Sequence, residues 1–274
     1  MTPFMLQAVI FDYDGTLAPT NERQFNWFKY WWNCSENSER VNGKEFPFEN
    51  LENFMEMYNS QCHREGGVQY VYDFLGLSCE MNNKDHPVWG AYKKYLAENP
   101  SGLYPEMKNA LKEIWEIGGL NSDYRKTRRL RLGINTTNTW SSVYKDLNKT
   151  GVMQFFDSFI TEEVLREFQG AGNPDAIKKP SKISLALALG LINSEGEYTM
   201  HVGDTLNDLA ASQKITRLNP LHPETLITVG VSWGYEGKAN LEKGVEVPGE
   251  GRVYFNHIVN TPSEIVQLVK KYLD

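Results

Sequence analysis

The chain has 274 residues, 41% of them hydrophobic, enough to bury a sizeable core in one large or two modest domains. Its net charge of -7, from 35 acidic against 28 basic side chains, excludes a general binder of nucleic acid or anionic membrane. Three scattered cysteines, Cys34, Cys62 and Cys79, fit neither a disulfide framework nor a zinc site.

Reduced thiols in a cytoplasmic protein are therefore expected. The first residues lack a basic and apolar leader, and no run approaches the ~20 apolar residues of a membrane span. Neither a signal peptide nor a membrane helix is expected.

In chain order, Leu6 and Ala8 to Phe11 read as a buried strand that runs straight into Asp12-Tyr13-Asp14-Gly15-Thr16-Leu17. Period-two alternation would point Asp12 and Asp14 the same way, and Gly15 allows the turn that lifts both into an opening. An ionised aspartate there can attack an electrophile while its neighbour handles protons. Residues 19 to 103 change style. They hold all three cysteines, several helical patterns and few strand-like runs, with loops at Asn42-Gly43, Gly66-Gly67 and Asn82-Asn83. A mostly helical insert that leaves and returns at the carboxyl edge of a parallel sheet would lie over the ligand site as a lid. Within it, Phe25, Trp27, Phe28, Tyr30, Trp31 and Trp32 occupy several faces of one helix, which favours packing over stacking on a base or sugar.

From residue 104 short apolar runs alternate with amphipathic helices, the pattern of a parallel sheet covered on both faces. Tyr104-Pro105 is expected to open a helix whose stripe is Met107, Leu111, Ile114 and Trp115, ended by Gly118-Gly119. The basic run Arg125-Lys126, Arg128-Arg129 and Arg131 reads as a solvated loop leading into a strand. That strand, around Leu132 and Ile134, ends in Asn135, Thr136, Thr137 and Asn138, hydroxyls and amides fit to bind phosphate oxygens. Further strands are expected at Phe159-Ile160, Tyr198 to Val202, Leu226 to Val231 and Val253 to Ile258, with helices at Pro180 to Gly190 and Asn207 to Ser212. Lys179-Pro180 would place an ammonium at a helix N-terminus, where an anion is favoured. Thr261-Pro262-Ser263-Glu264 has capping-box spacing ahead of Ile265, Leu268, Val269 and Tyr272. Cys62-His63 has no third ligand nearby, and His201 sits in a strand pattern as a packed residue.

Gly203-Asp204-Thr205-Leu206-Asn207-Asp208 adds two more acids after a strand. If the strand ends converge, Asp12, Asp14, Asp204 and Asp208 crowd together. Each like pair at ~4 Å then costs several kcal/mol at an intermediate dielectric. Lys179 and a divalent cation resolve the conflict, and oxygen-only ligands suit Mg2+. A carboxylate nucleophile, a hard cation, a lysine and hydroxyl donors together describe phosphoryl transfer.

The ordered set Asp12-x-Asp14-Gly15-Thr16, Thr136, Lys179 and Gly203-Asp204-x-x-x-Asp208 resembles the haloacid dehalogenase superfamily, in flavour its phosphoglycolate-phosphatase-like group. Phe155 to Thr161 and Val229 to Tyr235 are similar to that family's third and late strand segments. The resemblance covers residues 1 to 18 and 104 to 274 and implies an α/β Rossmann-like core with helices on both faces. Residues 19 to 103 would be its inserted helical cap. It further implies that Asp12 forms an aspartyl-phosphate and that Asp14 protonates the leaving oxygen and then activates water. Mg2+ would be held by Asp12, Asp204 and the Asp14 carbonyl, and Asp208 would orient Lys179 or metal-bound water. Thr136 or Thr137, and Lys179 or Lys178, would grip the phosphoryl group.

Asn135 departs from the pattern, since an apolar residue is usual there, and insertions near 121 to 130, 165 to 178 and 213 to 224 lengthen loops. The expected activity is a Mg2+-dependent phosphatase acting on a small phosphorylated metabolite, with no nucleic acid or membrane partner. A phosphosugar mutase on the same scaffold is the alternative, as is a non-catalytic binding relative, although every catalytic position is filled. Dehalogenation is disfavoured because Asp14 would have no role. Phosphonate cleavage is weakened too, although Lys29 could form a Schiff base. Second-anion contacts from Arg23, Lys29, Arg40 or Arg64 stay open.

Overall fold

The computed structural model describes residues 6–62, 67–81, 83, 85–119, 130–194, 198–216 and 226–273. The basic run at 125–129, His63, Arg64, Gly66, Asn82 and most of the lengthened loops at 121–130 and 213–224 lie outside them. The chain divides into two compact units, Met1–Pro19 with Gly102–Asp274, and Thr20–Ser101.

The larger unit is built on a six-stranded, wholly parallel sheet. Its strands are β1 (Ala8–Phe11), β2 (Arg131–Asn135), β3 (Ser158–Ile160), β4 (Thr199–Gly203), β5 (Ile227–Val231) and, after a hairpin, β8 (His257–Val259). The order is β3-β2-β1-β4-β5-β8. All five residues of β4 and of β5 are buried, as strands covered on both faces must be. Alternation assigns Val9 and Phe11 of β1 to one apolar layer, with Leu132, Ile134, Met200, Val202 and Val229. Ala8 and Ile10 face the other, with Leu185, Ala188 and Leu189.

Helix α6 (Met107–Gly119) and the last helix, α12 (Pro262–Leu273), cover the first layer. Between them come α7 (Trp140–Thr150), α8 (Glu162–Gln169), α9 (Ile183–Leu191), α10 (Leu206–Thr216) and α11 (Gly237–Leu241). The acid of the expected capping box does reach back. Glu264 accepts from the Thr261 hydroxyl at 3.3 Å and from the Asn260 N–H at 3.2 Å.

Three sequence expectations are corrected. The helix expected from Pro105 begins at Met107, because Glu106 turns the chain with φ +63°. The strand expected over Val253 to Ile258 is two strands. Gly251–Val253 (β7) pairs antiparallel with Val245–Val247 (β6), and only His257–Val259 joins the main sheet. The helix expected from Pro180 starts at Ile183.

The smaller unit is helical: α1 (Thr20–Trp32), α2 (Ser38–Val41), α3 (Leu51–Cys62), α4 (Val68–Leu75) and α5 (Pro87–Glu98). Its core is aromatic. Trp27 stacks on Trp31 with centroids 5.6 Å apart, and its indole N–H donates to the Tyr72 hydroxyl at 2.7 Å. Phe28 packs against Phe54, Tyr58 and Tyr72. The α1 aromatics therefore pack, and even the exposed Tyr30 lies against Trp27 and Tyr95. Cavity formation at Trp27 is expected to dominate this unit's stability. Trp27→Ala should lower the free energy of unfolding by ~3–5 kcal/mol in urea titrations. Tyr72→Phe, which strands one buried N–H, should cost ~1–3 kcal/mol.

Candidate active site

Parallel pairing sets the site. Phe11 lies level with Ile134 on one side and Val202 on the other, so the residues following β1, β2 and β4 emerge together at the carboxyl edge. The chain turns from β1 to β2 on one flank and to β4 on the other, and such a switch point leaves a crevice. Asp12, Thr136 and Asp204 stand at this edge, each buried.

Asp12 and Asp14 do not owe their directions to strand alternation, because β1 ends at Phe11. Tyr13 between them is fully buried and its hydroxyl donates to the buried Asp146 at 2.7 Å. Gly15 then turns with φ +78°, and a Cβ there would lie 2.2 Å from an Asp204 carboxylate oxygen. Only glycine fits. The Thr16 hydroxyl donates to Asp204 at 3.2 Å, and the Trp233 indole N–H holds the Thr16 carbonyl at 3.1 Å.

Lys179 lies at the centre. Its ammonium pairs with Asp12, donates to Asp208 at 2.6 Å and reaches the Asn135 carbonyl at 3.0 Å. It is not at a helix N-terminus, since α9 starts four residues on; the partners that place it are carboxylates. Lys178 instead pairs with Asp175 at 2.6 Å. Among the described residues, Asp12, Asp204 and Asp208 form a buried group whose carboxylate oxygens lie within 4.8 Å of one another and could hold a metal ion.

Three buried acids face one ammonium, and their protonation reflects it. Burial, reinforced by Asp208 and Asp14 and only partly offset by Lys179, pushes Asp12 up to about 7. Burial and the charges of Asp12 and Asp208 hold Asp204 well above the usual carboxylate range. Asp208 is buried as well, but Lys179, His201 and hydrogen bonds from Lys179 and Thr205 outweigh burial and hold it low. Lys179 is held above an ordinary lysine, since Asp12 and Asp208 overcome its burial. His201 is indeed a packed residue. Burial lowers it to about 4, and its Nδ1 bonds the Ser212 hydroxyl at 2.7 Å.

Asp14 is only partly buried and both its oxygens are engaged. The Thr136 hydroxyl donates to one at 3.2 Å and the Asn138 amide to the other at 3.0 Å. Thr137 is exposed. Asn138, expected to meet phosphate oxygens, binds Asp14 instead, and sequence reading gave no role to Tyr13, Tyr235 or Glu236. The Tyr235 N–H donates to Asp204 at 2.6 Å, and Glu236 accepts from the Leu206 N–H at 3.0 Å, its carboxyl pushed up to about 7 by burial. Only the strand-and-turn character of Val229 to Tyr235 signalled that stretch.

Removing Lys179 leaves Asp12 and Asp208 buried without their counter-charge. Lys179→Met should therefore cost ~3–5 kcal/mol at neutral pH, measured by urea unfolding, and less near pH 5, where protons replace the ammonium. Asp12→Asn removes a repelled charge and should leave the melting temperature almost unchanged or raise it.

Comparison with known proteins identifies a family. A family model described as haloacid dehalogenase-like hydrolase matches residues 9–216. The chain is similar to the pyrophosphatase PpaX of Bacillus mycoides, 25% identical over 243 residues, covering 86% of this chain and 88% of that protein. Its fold is similar to a haloacid dehalogenase-like hydrolase from Streptococcus pneumoniae, with TM-score 0.57 and 17% identity over 96% of this chain and 98% of the other. It is also similar to a predicted phosphoglycolate phosphatase from Haemophilus somnus, with TM-score 0.62 and 17% identity over 96% and 97% of the two chains.

Proposed function

The chain belongs to the haloacid dehalogenase-like hydrolases, and from that premise we propose that it is a Mg2+-dependent phosphatase that cleaves a small phosphomonoester through an aspartyl-phosphate on Asp12. The observation that carries the reading is the gathering of Asp12, Asp204 and Asp208 around Lys179, with Asp14 beside them. The phosphatase-like names of its relatives support phosphoester hydrolysis as the reaction class.

The donor set fits the ion. Three oxygen-ligand acids crowd together with a single ammonium, and burial has pushed two of them toward the protonated form. A hard divalent cation would restore their charge, with Asp12, Asp204 and the Asp14 carbonyl holding it and Asp208 steadying Lys179. When bound, Mg2+ supplies charge stabilisation to the phosphoryl group in flight.

In the first step an Asp12 oxygen attacks phosphorus. The P–O bond to the leaving group breaks, and Asp14 gives its proton to the departing oxygen. In the second, Asp14 takes a proton from water as that water attacks phosphorus, the bond to Asp12 breaks, and phosphate departs. Lys179 and Thr136 neutralise and grip the phosphoryl oxygens. Residues 20–101 act as the helical cap that governs substrate choice. No helix among the described residues is long and apolar enough to cross a membrane, and the three cysteines are free, which suits a cytoplasmic enzyme.

The enzyme should turn over p-nitrophenyl phosphate with Mg2+ and lose that activity in EDTA; Asp12→Asn should abolish it. A panel of phosphoglycolate, sugar phosphates, nucleoside monophosphates and pyrophosphate, ranked by kcat/KM, should identify the substrate. Release of inorganic phosphate, rather than its transfer to a sugar hydroxyl, separates hydrolysis from mutase chemistry. Metal-dependent turnover of none of these would refute the reading.

The raised acids also set a pH dependence. The native state holds protons on Asp12 and Asp204 that the unfolded chain releases near 4, so metal-free stability should fall as pH rises through about 7. Mg2+ competes with those protons. Its stabilisation, read as a shift in melting temperature, should be larger at pH 8 than at pH 5.5, and a shift independent of pH would contradict the assigned ligands.

A further inference from the structure

We propose that Thr136 and Asn138 form a two-point latch on Asp14, and that Asn138 is the positioning residue that keeps Asp14 aimed when Thr136 turns to the substrate. The inference deepens the reading above and rests on Asp12 as nucleophile and Asp14 as proton donor.

It begins from a count of protons. The Thr136 hydroxyl accepts from the Asn138 backbone N–H at 3.0 Å and donates to one Asp14 oxygen at 3.2 Å. A hydroxyl has a single proton, so in this arrangement Thr136 has none to give a phosphoryl oxygen. Binding of the phosphoryl group draws that proton away and leaves one Asp14 oxygen free. The Asn138 amide nitrogen, with two protons, meets no such conflict and donates to the other Asp14 oxygen at 3.0 Å.

Asn138 is itself well held. Its side-chain oxygen accepts from the Thr139 N–H at 2.8 Å, which turns the NH2 group toward Asp14. Its backbone carbonyl accepts from the Glu162 N–H at 3.0 Å, tying it to the start of α8. The side-chain partners of Asp14, Thr136 and Asn138, both come from the loop after β2.

The latch thus couples substrate arrival to release of the acid. In the structure both Asp14 oxygens are engaged. With phosphate present, the oxygen released by Thr136 is free to take up a proton from solvent, and that proton passes to the leaving oxygen as the Asp12–P bond forms and the ester P–O bond breaks. The same oxygen then receives the proton of the attacking water. Throughout, Asn138 fixes the direction in which that oxygen points.

The test exploits leaving groups of similar shape. Phenyl phosphate and p-nitrophenyl phosphate differ little in size, but the phenolate needs a proton far more than the nitrophenolate does. Asn138→Ala should reduce kcat/KM on phenyl phosphate roughly tenfold more than on p-nitrophenyl phosphate, a modest share of a general acid's contribution. Asn138→Asp, of the same shape but with an acceptor facing the Asp14 carboxylate, should widen that split, and serves if the alanine variant folds poorly. Equal losses on both esters, or no loss, overturn the latch and leave Asn138 a structural residue. Wild-type protein inert to both esters in Mg2+ would instead overturn the underlying reading, and the proposal with it.

Discussion

One imbalance governs this molecule: among the described residues three buried carboxylates, Asp12, Asp204 and Asp208, are held against a single ammonium, Lys179. In water such acids would repel one another weakly and drift apart. Out of water the repulsion grows and burial adds its own penalty, so the native chain retains protons that free aspartates would shed. The rest of the unit has to hold that cluster together. It does so with rigid backbone, since Asp12 and Asp204 follow hydrogen-bonded parallel strands whose register is fixed by apolar layers on both faces, and Asp208 sits in the first turn of α10.

The strain of the cluster is also its chemical use. A site short of positive charge favours a divalent cation, which on the proposed reading would relieve the repulsion and let an anionic phosphoryl group enter. Lys179 cannot neutralise the group alone, because it serves Asp12, Asp208 and the Asn135 carbonyl at once. The proposed nucleophile is therefore positioned by contacts that favour its ionised form and surrounded by charges that oppose it. Asp14, only partly buried and gripped by neutral donors, adds its repulsion to Asp12 from beside the buried group. Two carboxylates two residues apart thus acquire different environments, which is how a pair of like side chains takes different roles.

Turns, more than strands, decide where these groups point. Gly15 lets the chain bend close against Asp204, and Tyr13, anchored on Asp146, is buried between Asp12 and Asp14. The Trp233 to Glu236 turn closes from the far side through Tyr235 on Asp204 and Glu236 on the Leu206 amide. None of these contacts is a strand or helix ladder bond, yet together they fix the carboxylates within hydrogen-bonding distance of their partners.

Composition and order in the sequence settle the class of the fold and the identity of the acids. The alternation of apolar strands with amphipathic helices requires a covered parallel sheet, and Asp12, Asp14, Thr136, Lys179, Asp204 and Asp208 each follow or precede a strand or helix signal that sends them to one edge. Those signals are local, carried by side-chain period and by glycine and proline, and a linear text preserves them. What tertiary structure alone decides are the contacts between distant segments. The choice of Asp12 and Asp208 as partners of Lys179, with Lys178 turned to Asp175, depends on where α9 packs. The breaking of the last strand pattern into hairpin and sheet depends on which edge is free to pair. The hold of Asn138 on Asp14 spans 124 positions, and no local rule encodes it. Such contacts are set by which surfaces the packed core brings face to face, a property of the whole chain.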